Sequence, residues 1–238
     1  MQRRLTAVLF DVDGTLVDSN DAHARAWVKA FSEYGLTVDP AAVRRSIGMG
    51  GDKLMPAVSG VKEDSPLGKL IAKRRAEIFK REQLPGLKPF EGARDLVAAV
   101  KNRGCTAVAA SSAKEAELKP LLAIAGVDSL MDAKTSSDDA DESKPDPDII
   151  LAALKRAHAD RSEAIMIGDT PYDIEAAQRA GLETIAFRSG GWSDDKLSGA
   201  IAIYDGPWDL LARIDESPLV LSEPRGGPKD NATPESKG

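Results

Sequence analysis

The chain has 238 residues, of which 42% are hydrophobic, and a formal net charge of −6. This length allows one large domain, or a core domain with a smaller inserted one. The acidic balance argues against nucleic-acid binding, which a basic stripe usually accompanies, and no apolar stretch approaches the roughly 20 residues that cross a bilayer. The apolar run after Arg4 is too short for a signal peptide, and the single cysteine, Cys105, allows no internal disulfide. Together these features favour a cytoplasmic protein.

The first third of the sequence predicts one strand followed by a series of helices. Residues 7–10, AVLF, are an apolar run that ends at Asp11 and predicts a buried strand. A helical pattern begins near residue 20, is interrupted first at Gly35, and continues in short pieces to residue 87. Almost no residue between 20 and 87 has strand character. We therefore predict a helical cap domain, residues 20–87, inserted after the first strand.

From residue 88 onwards, predicted helices alternate with apolar strands. The strands read TAVAA, AIMI, ETIAF and AIAIY. Such alternation implies right-handed βαβ units and a parallel sheet, and strands without period-two alternation are typical of burial on both faces. The predicted fold class is therefore α/β: a three-layer, Rossmann-like parallel-sheet core at 1–19 and 88–216, with the cap between. Residues 217–238 are rich in proline, glycine and polar residues, which predicts a disordered tail.

Acidic and hydroxyl side chains follow the ends of the predicted strands. These residues are Asp11 and Asp13, then Ser111 and Ser112, then Asp169, with Asp173 one helical turn further on. Since ligands bind outside the carboxyl ends of parallel strands, we expect these groups to meet at one edge, together with Lys144. Carboxylate oxygens are the ligands that Mg²⁺ prefers, and a phosphoryl group requires neutralised charge on its oxygens. The pattern therefore predicts a site for a divalent cation and a phosphoryl group.

Four motifs occur in order along the chain. They are Asp11-Val12-Asp13-Gly14-Thr15, Ser111 after a hydrophobic strand, Lys144-Pro145, and Gly168-Asp169-Thr170-Pro171-Tyr172-Asp173. With these motifs the sequence resembles the phosphohydrolases of the haloacid dehalogenase (HAD) superfamily over residues 7–187. The inserted helices resemble the subgroup with a helical cap, nearest the beta-phosphoglucomutase-like and phosphoglycolate-phosphatase-like branches.

The resemblance implies a role for each motif. Asp11 would attack phosphorus to form an aspartyl-phosphate, and Asp13 would act as general acid and then general base. Ser111 and Lys144 would hold the phosphoryl oxygens. The implied Mg²⁺ ligands are Asp11, Asp13 through its backbone carbonyl, Asp169 and Asp173. For Asp173, an acid that stabilises the dipole of a helix start is the alternative interpretation.

A second set of residues is predicted to contact the substrate. They are Gly14, Thr15, His23, Gly50, Gly51 and Ser112. Gly14 allows a turn after the strand, and Thr15 fits the phosphatase form of the first motif. His23 would lie at the mouth of the site near Asp13, although a solvated helix histidine is the alternative. The loop at 46–54, SIGMGGDKL, could expose the backbone N–H groups of Gly50 and Gly51 to the substrate, although a plain turn would also explain its glycines. Ser112 has the alternative role of a turn residue.

The resemblance implies Mg²⁺-dependent hydrolysis of a small phosphorylated metabolite, a phosphosugar or phosphoglycolate, without nucleic-acid or membrane partners. A beta-phosphoglucomutase-type mutase is the main alternative, but that branch binds the distal phosphate with an arginine where our alignment places Gly51. Arg44, Arg45 or Lys53 nearby could take the place of that arginine. A dehalogenase of the same superfamily would not need Asp13. A receiver-like signalling module would be shorter and would lack the inserted cap, and a non-catalytic relative would be expected to have lost Asp11 or Lys144.

Overall fold

A computed structural model describes residues 5–220 of the chain, and its centre is a six-stranded parallel sheet. The strands are β1 (Ala7–Phe10), β2 (Thr106–Ala110), β3 (Ala133–Thr135), β4 (Ala164–Gly168), β5 (Glu183–Phe187) and β6 (Ala202–Tyr204). Their order across the sheet is β3-β2-β1-β4-β5-β6, and every neighbouring pair is parallel. The predicted α/β fold with a parallel sheet is confirmed.

Helices cover both faces of the sheet. They are α1 (Asn20–Glu33), α2 (Pro40–Arg45), α3 (Gly51–Ser59), α4 (Pro66–Ile78), α5 (Ala93–Asn102), α6 (Glu115–Ile124), α7 (Asp148–Ala157), α8 (Pro171–Ala180), α9 (Asp194–Leu197) and α10 (Pro207–Ala212). Along β1, Val8 and Phe10 belong to one hydrophobic cluster, and Ala7 and Leu9 to the other. Because alternate side chains of a strand point to opposite faces, the sheet forms the middle of three layers. All four side chains are buried, as the absence of polar alternation in AVLF predicts.

Four helices, α1 to α4, lie between β1 and α5 in the sequence and are followed by a π-helical turn, Phe79–Gln83. Local sequence explains where two of them begin. Asp39 accepts hydrogen bonds from the backbone N–H groups of Ala41 and Ala42 at the start of α2, and Ser65 accepts one from Gly68 at the start of α4. These helices match the helical stretch expected at 20–87, and the division into core and cap domains stays a prediction.

The two connections between this helical segment and the sheet lie side by side. The backbone N–H of Asp18 donates to the carbonyl of Lys88 at 3.0 Å, and that of Phe90 donates to Leu16 at 3.0 Å. Val17 and Pro89 form the antiparallel bridge between them. The two connections are therefore bonded to each other as one short ribbon.

The structure differs from the sequence prediction at two places. Strand β3 was not predicted, because three residues at a sheet edge, AKT, form neither an apolar run nor an alternating one. The predicted tail also begins too early: Leu219 is only 2% exposed, and the Ser217 hydroxyl donates to the carbonyl of Ile214 at 2.7 Å. The packed chain therefore extends to Leu219, and the rest of the predicted tail, 221–238, lies outside the described residues. Within residues 5–220, none of the helices is long and apolar enough to span a membrane.

Candidate active site

Three carboxylates meet at the carboxyl ends of β1 and β4. Asp11 directly follows β1, Asp169 directly follows β4, and Asp173 lies in the first turn of α8. One oxygen atom from each lies within 4.8 Å of the other two, and all three residues are buried. Three buried acids this close repel one another, so the cluster requires a compensating positive charge.

Lys144 supplies positive charge to this cluster from within the protein. Its side chain is fully buried, and Nζ donates to Asp11 Oδ1, Asp173 Oδ1 and the carbonyl of Ala110, each at 2.7 Å. Burial alone would lower the pKa of Lys144, but the two carboxylates outweigh it and raise that pKa above its ordinary value. Burial raises the pKa of Asp11 well above its usual range, and Lys144 offsets only part of that rise. Lys144 is thus a cation at neutral pH, whereas Asp11 is a poorly solvated carboxyl at the centre of the cluster.

Two neighbouring side chains orient Asp169. Thr15 Oγ1 lies 3.0 Å from Asp169 Oδ1, and Asn20 Nδ2 donates to Asp169 Oδ2 at 2.8 Å. The same Thr15 hydroxyl lies 3.2 Å from Asp11 Oδ2, so its one proton is shared between two acceptors. Burial and then the charge of Asp173 raise the pKa of Asp169 to about 7, despite both hydrogen bonds.

Gly14 is the residue that lets these groups approach. Its φ is +80°, and a Cβ there would lie 2.1 Å from both Asn20 Nδ2 and Asp169 Oδ2. Any other residue would be strained in this conformation and would also collide with the pair. Gly14 therefore supports the site through backbone shape, in agreement with the turn expected from the sequence.

Asp173 lies in the first turn of α8, where the sequence's alternative interpretation has an acid that stabilises the helix dipole, and it also caps the helix. Its Oδ2 accepts from the backbone N–H of Thr170 at 3.0 Å and from Thr170 Oγ1 at 2.6 Å, which completes a capping box at the start of α8. Its Oδ1 accepts from Lys144. One carboxylate thus both caps the helix and belongs to the acid cluster.

Asp13 lies outside the cluster and is bound from the helical segment. His23 Nε2 is 2.7 Å from Asp13 Oδ1, and Ser19 Oγ is 2.5 Å from the same oxygen. His23 is 3% exposed, so the alternative of a solvated histidine is wrong. Burial raises the pKa of Asp13, but the interactions with His23, the hydrogen bond from Ser19 and the charge of Arg75 outweigh it and lower that pKa.

Arg75 on α4 fixes the orientation of His23. Its NH2 group donates to His23 Nδ1 at 2.6 Å, and its NH1 group donates to both carboxylate oxygens of Glu117 at 2.6 Å. Because Nδ1 accepts from an arginine, which can only donate, the imidazole proton lies on Nε2 and is donated to Asp13. The imidazole also stacks on Phe79, with ring centroids 4.0 Å apart. A chain of polar contacts therefore runs from Glu117 through Arg75 and His23 to Asp13.

A cavity of about 850 Å³ opens over Asp11 and Asp13, between the sheet edge and the helical segment. The predicted residues His23, Gly50, Gly51, Ser111 and Ser112 also line it. Ser111 Oγ accepts from the backbone N–H of Ala113 at 3.0 Å. Ser112 Oγ is buried and has no hydrogen-bond partner in the described part of the chain. The structure thus brings both serines to the same cavity as the two aspartates.

The glycine-containing loop at 46–54 does not have the substrate-binding role that its sequence predicts for Gly50. The backbone N–H of Gly50 donates to Ser143 Oγ at 3.0 Å, and that hydroxyl contacts Asp52 Oδ1 at 2.5 Å. The expectation of a Gly50 N–H free for the substrate is therefore wrong in this arrangement, because the group is already bound. The loop instead fastens the helical segment to the residue preceding Lys144.

Sequence reasoning missed Asn20, Arg75 and Glu117. Asn20 is the first residue of α1 and carries no pattern that marks it. Arg75 could have been found: it lies four residues after Ile71 and three before Ile78, the buried positions of α4. Glu117 likewise lies four residues before buried Leu121 on α6. A charged residue at an apolar helical position is the signal in both cases.

The donor set fits a hard divalent cation such as Mg²⁺. Asp11, Asp169 and Asp173 offer carboxylate oxygens, which such cations prefer. Asn20 Oδ1 is buried without a hydrogen-bond partner among the described residues, beside the carboxylate that its own amide group orients. A hydrated cation would give this oxygen a partner and would offset the repulsion among the three carboxylates.

Comparisons with known proteins agree with this geometry. The family model for haloacid dehalogenase-like hydrolases matches residues 8–187. The chain is 31% identical over 240 residues to phosphoglycolate phosphatase of Rhodospirillum rubrum, covering 96% of each chain. It is 36% identical over 235 residues to Protein SUPPRESSOR OF QUENCHING 1, chloroplastic, of Arabidopsis thaliana; the match covers 96% of this chain and only 21% of that protein. Among solved structures, a proposed beta-phosphoglucomutase of Bacteroides vulgatus superposes with a TM-score of 0.83 at 25% identity, covering 93% of this chain and 92% of that one.

Proposed function

This chain belongs to the haloacid dehalogenase-like hydrolases and is an enzyme of that family, and we propose that it is a Mg²⁺-dependent phosphatase of a small phosphomonoester, a phosphosugar or phosphoglycolate. The observation that supports this most is Asp11, a buried carboxylate in contact with Lys144 at the bottom of a cavity wide enough for a metabolite. The similarity to phosphoglycolate phosphatase along both chains supports the same reaction class. We keep a cytoplasmic location as part of this proposal.

In the first step, a carboxylate oxygen of Asp11 attacks phosphorus while the bond from phosphorus to the leaving oxygen breaks. Asp13 gives that oxygen a proton, so the product leaves as an alcohol. In the second step, water attacks the aspartyl-phosphate, Asp13 takes a proton from it, and the acyl-phosphate P–O bond breaks to restore the Asp11 carboxylate. The products are inorganic phosphate and the alcohol, and each residue returns to its starting state.

The surroundings of Asp13 suit the second step. His23 donates its Nε2 proton to Asp13, and Ser19 contacts the same oxygen, so both stabilise the carboxylate form that serves as a base. For the first step Asp13 must carry a proton, which weakens those two contacts. His23 is therefore a positioning residue that holds Asp13 on the cavity side.

Asp11, Asp169 and Asp173 are the side chains that would hold Mg²⁺, with the Asp13 carbonyl as the proposed further ligand. A bound Mg²⁺ would supply positive charge that offsets the repulsion between Asp11 and the incoming phosphate. Lys144 provides a fixed positive charge beside Asp11 Oδ1 from within the fold. Ser111 and Ser112 are the proposed hydroxyl contacts of the phosphoryl oxygens.

A phosphomutase remains the second candidate because of the similarity to the Bacteroides protein. A mutase must keep its bisphosphate intermediate bound while the intermediate reverses its orientation in the site. This requires a strong contact between the protein and the distal phosphate. Gly51, at the place where the alignment expects a gripping arginine, has no side chain to provide it. This favours transfer of the phosphoryl group to water.

The test is release of inorganic phosphate by the purified protein with Mg²⁺ from a panel of phosphorylated metabolites. We expect release from at least one sugar phosphate or from phosphoglycolate, and loss of release in excess chelator. Phosphorus NMR with beta-glucose 1-phosphate and a trace of the 1,6-bisphosphate separates the candidates. Accumulation of glucose 6-phosphate with little free phosphate would establish the mutase and overturn the phosphatase.

A further inference from the structure

We propose that Glu63 selects the leaving group of the substrate: it favours an uncharged, hydroxylated group and rejects one with a second phosphate. Glu63 lies on the cavity wall, on the segment between α3 and α4, together with residues from the catalytic side such as Asp13. The inference rests on the proposed phosphatase function and narrows its substrates to phosphosugars and related polyol phosphates, because the leaving group of phosphoglycolate carries a carboxylate.

The carboxyl group of Glu63 borders the space that a side chain at position 51 would enter. A Cβ built on Gly51 would lie 3.1 Å from Glu63 Oε1 and 3.3 Å from Glu63 Cδ. Glycine at position 51 therefore does more than omit an arginine, because it makes room for an acid. In a mutase this part of the cavity wall would carry a positively charged side chain. In this protein it carries a carboxyl group.

The segment that bears Glu63 is held in place by hydrogen bonds. Ser65 N donates to the carbonyl of Lys62 at 3.2 Å, and Ser65 Oγ donates to the same carbonyl at 2.6 Å. Ser65 Oγ also accepts from Gly68 N at 3.0 Å at the start of α4. The backbone on either side of Glu63 is thus fixed to a helix, so its carboxyl group is pre-positioned at the cavity wall.

Glu63 differs from the other inner acids of the cavity in having no partner. Glu117 binds Arg75, Asp13 binds His23, and Asp52 binds Ser143. The Glu63 carboxyl group accepts no hydrogen bond and forms no ion pair with any residue between 5 and 220. Burial raises its pKa, and the charge of Lys114 offsets part of that rise, so the group is partly withdrawn from water. Its oxygens are not buried atoms and face the cavity, so the hydroxyl groups of a ligand bound there can donate to them in place of water.

The Glu63 carboxyl group on the cavity wall favours a leaving group that carries hydroxyl groups. A carboxyl group accepts hydrogen bonds from hydroxyls, whereas a second phosphate would meet it with like charge. A cationic group would meet like charge from Lys114 and Arg75, which line the same cavity. A neutral polyol or sugar meets like charge from none of these three residues.

The experiment compares kcat/KM for sugar monophosphates, for the corresponding bisphosphates and for p-nitrophenyl phosphate, whose leaving group has no additional hydroxyl. The variants are Glu63→Gln, Glu63→Lys and, as a control for the change in net charge, Glu91→Gln, which makes the same chemical change at an exposed residue outside the cavity. Gly51→Ala is a fourth variant, since its methyl group would lie 3.1 Å from Glu63 Oε1 and would shift the carboxyl group slightly. Thermal unfolding confirms that each variant is folded.

We expect the wild type to prefer the best sugar monophosphate over both its bisphosphate and p-nitrophenyl phosphate. Glu63→Gln should lower kcat/KM for that monophosphate by about 10- to 100-fold, the loss of a charge-assisted hydrogen bond, and change p-nitrophenyl phosphate by less than about twofold. Glu63→Lys should raise the bisphosphate-to-monophosphate ratio by at least about tenfold. Gly51→Ala should lower kcat/KM for the same monophosphate by less than Glu63→Gln does, and Glu91→Gln should leave it unchanged.

Three results would overturn the role of Glu63: an unchanged ratio in Glu63→Lys, an equal loss for p-nitrophenyl phosphate, or a wild type that prefers bisphosphates. A wild type that releases no phosphate from any of these compounds, p-nitrophenyl phosphate included, would instead overturn the proposed function and this inference with it.

Discussion

Asp11 is bound on both carboxylate oxygens, by Lys144 on Oδ1 and by Thr15 on Oδ2. An Asp11→Asn substitution keeps the size of the side chain and removes the attacking charge. Because Lys144 retains Asp173 and the Ala110 carbonyl, the variant should stay folded. We expect phosphate release to fall by about 10³-fold or more.

The matched control is Asp18→Asn, the same chemical change at an exposed residue seven positions away. It should keep normal activity, and both variants should unfold at similar temperatures. Near-normal turnover by a folded Asp11→Asn protein would show that another residue is the nucleophile.

Asn20 orients Asp169 and would act on metal affinity without touching the substrate. Asn20→Ala removes the hydrogen bond to Asp169 Oδ2. Loss of such a supporting contact should weaken Mg²⁺ binding by about 10- to 100-fold, as measured by titration calorimetry. Asn102→Ala, at an asparagine on the far end of α5, is the control and should leave affinity unchanged. Equal affinity in the two variants would contradict this role.

At the residue scale, the sequence predicts acids that directly follow strands, because a parallel sheet brings its strand ends together. The positions of Asp11 and Asp169 follow from this pattern alone. The role of Asn20 does not, because it depends on the start of α1 lying against the end of β4, which no local pattern reveals. Glu63 was missed for the same reason: its neighbour Gly51 is distant in sequence.

At the element scale, Arg75 connects α4 to α6 through Glu117 and to α1 through His23. The Arg75–Glu117 pair is largely buried, so an Arg75→Met variant leaves a carboxylate without its partner. We expect a loss of about 3 kcal/mol in the free energy of unfolding, measured with urea. A second substitution, Glu117→Met, should recover most of that loss.

The adjacent residue provides the control. Arg74 pairs with Glu33 on the more exposed side of α4, so Arg74→Met should cost less than about 1 kcal/mol. If the two arginine variants were equally destabilised, the Arg75–Glu117 pair would have no special contribution.

Whether a strand could be predicted from the sequence depended on how completely its two faces are buried. Strands β1 and β4 have uninterrupted apolar sequences because both of their faces are covered, and they were predicted. Strand β3 is short and lies at the sheet edge, so its sequence carries no comparable signal. The face of α4 is different: Arg74 and Arg75 are the same residue type, but only Arg75 is in phase with the buried Ile71 and Ile78, so spacing alone separates the two.

At the scale of the whole molecule, the helical segment is fastened to the sheet side at several separate places. Arg44 donates to the carbonyl of Gly190 at 3.0 Å, Tyr172 donates to that of Arg45 at 2.8 Å, and Lys53 forms ion pairs with Glu142 and Asp146. These contacts hold the helical segment over the sheet edge, and we expect that opening of this segment for substrate would break them.

We expect solution scattering to show a larger radius of gyration for the free protein than for its complex with Mg²⁺ and a metal fluoride that mimics phosphate. The scattering of the complex should match the closed arrangement. Lys53→Ala, which removes one fastening contact outside the acid cluster, should shift the free protein further towards the open form. Identical scattering curves for the free and bound states would argue against opening of the cap.

The ribbon formed by the two connections has a thermodynamic consequence. Two independent linkers would allow the open cap many orientations, and closure would then cost the entropy of selecting one. Here Leu16 and Asp18 are bonded to Phe90 and Lys88, so we expect both linkers to bend together and to allow few open orientations. The ribbon also starts inside the turn that carries Asp13, since Gly14 N donates to the carbonyl of Val17 at 2.8 Å. Folding would then already have supplied most of the entropy cost of ordering the cap, and more of the binding energy of the substrate would remain for holding it over Asp11.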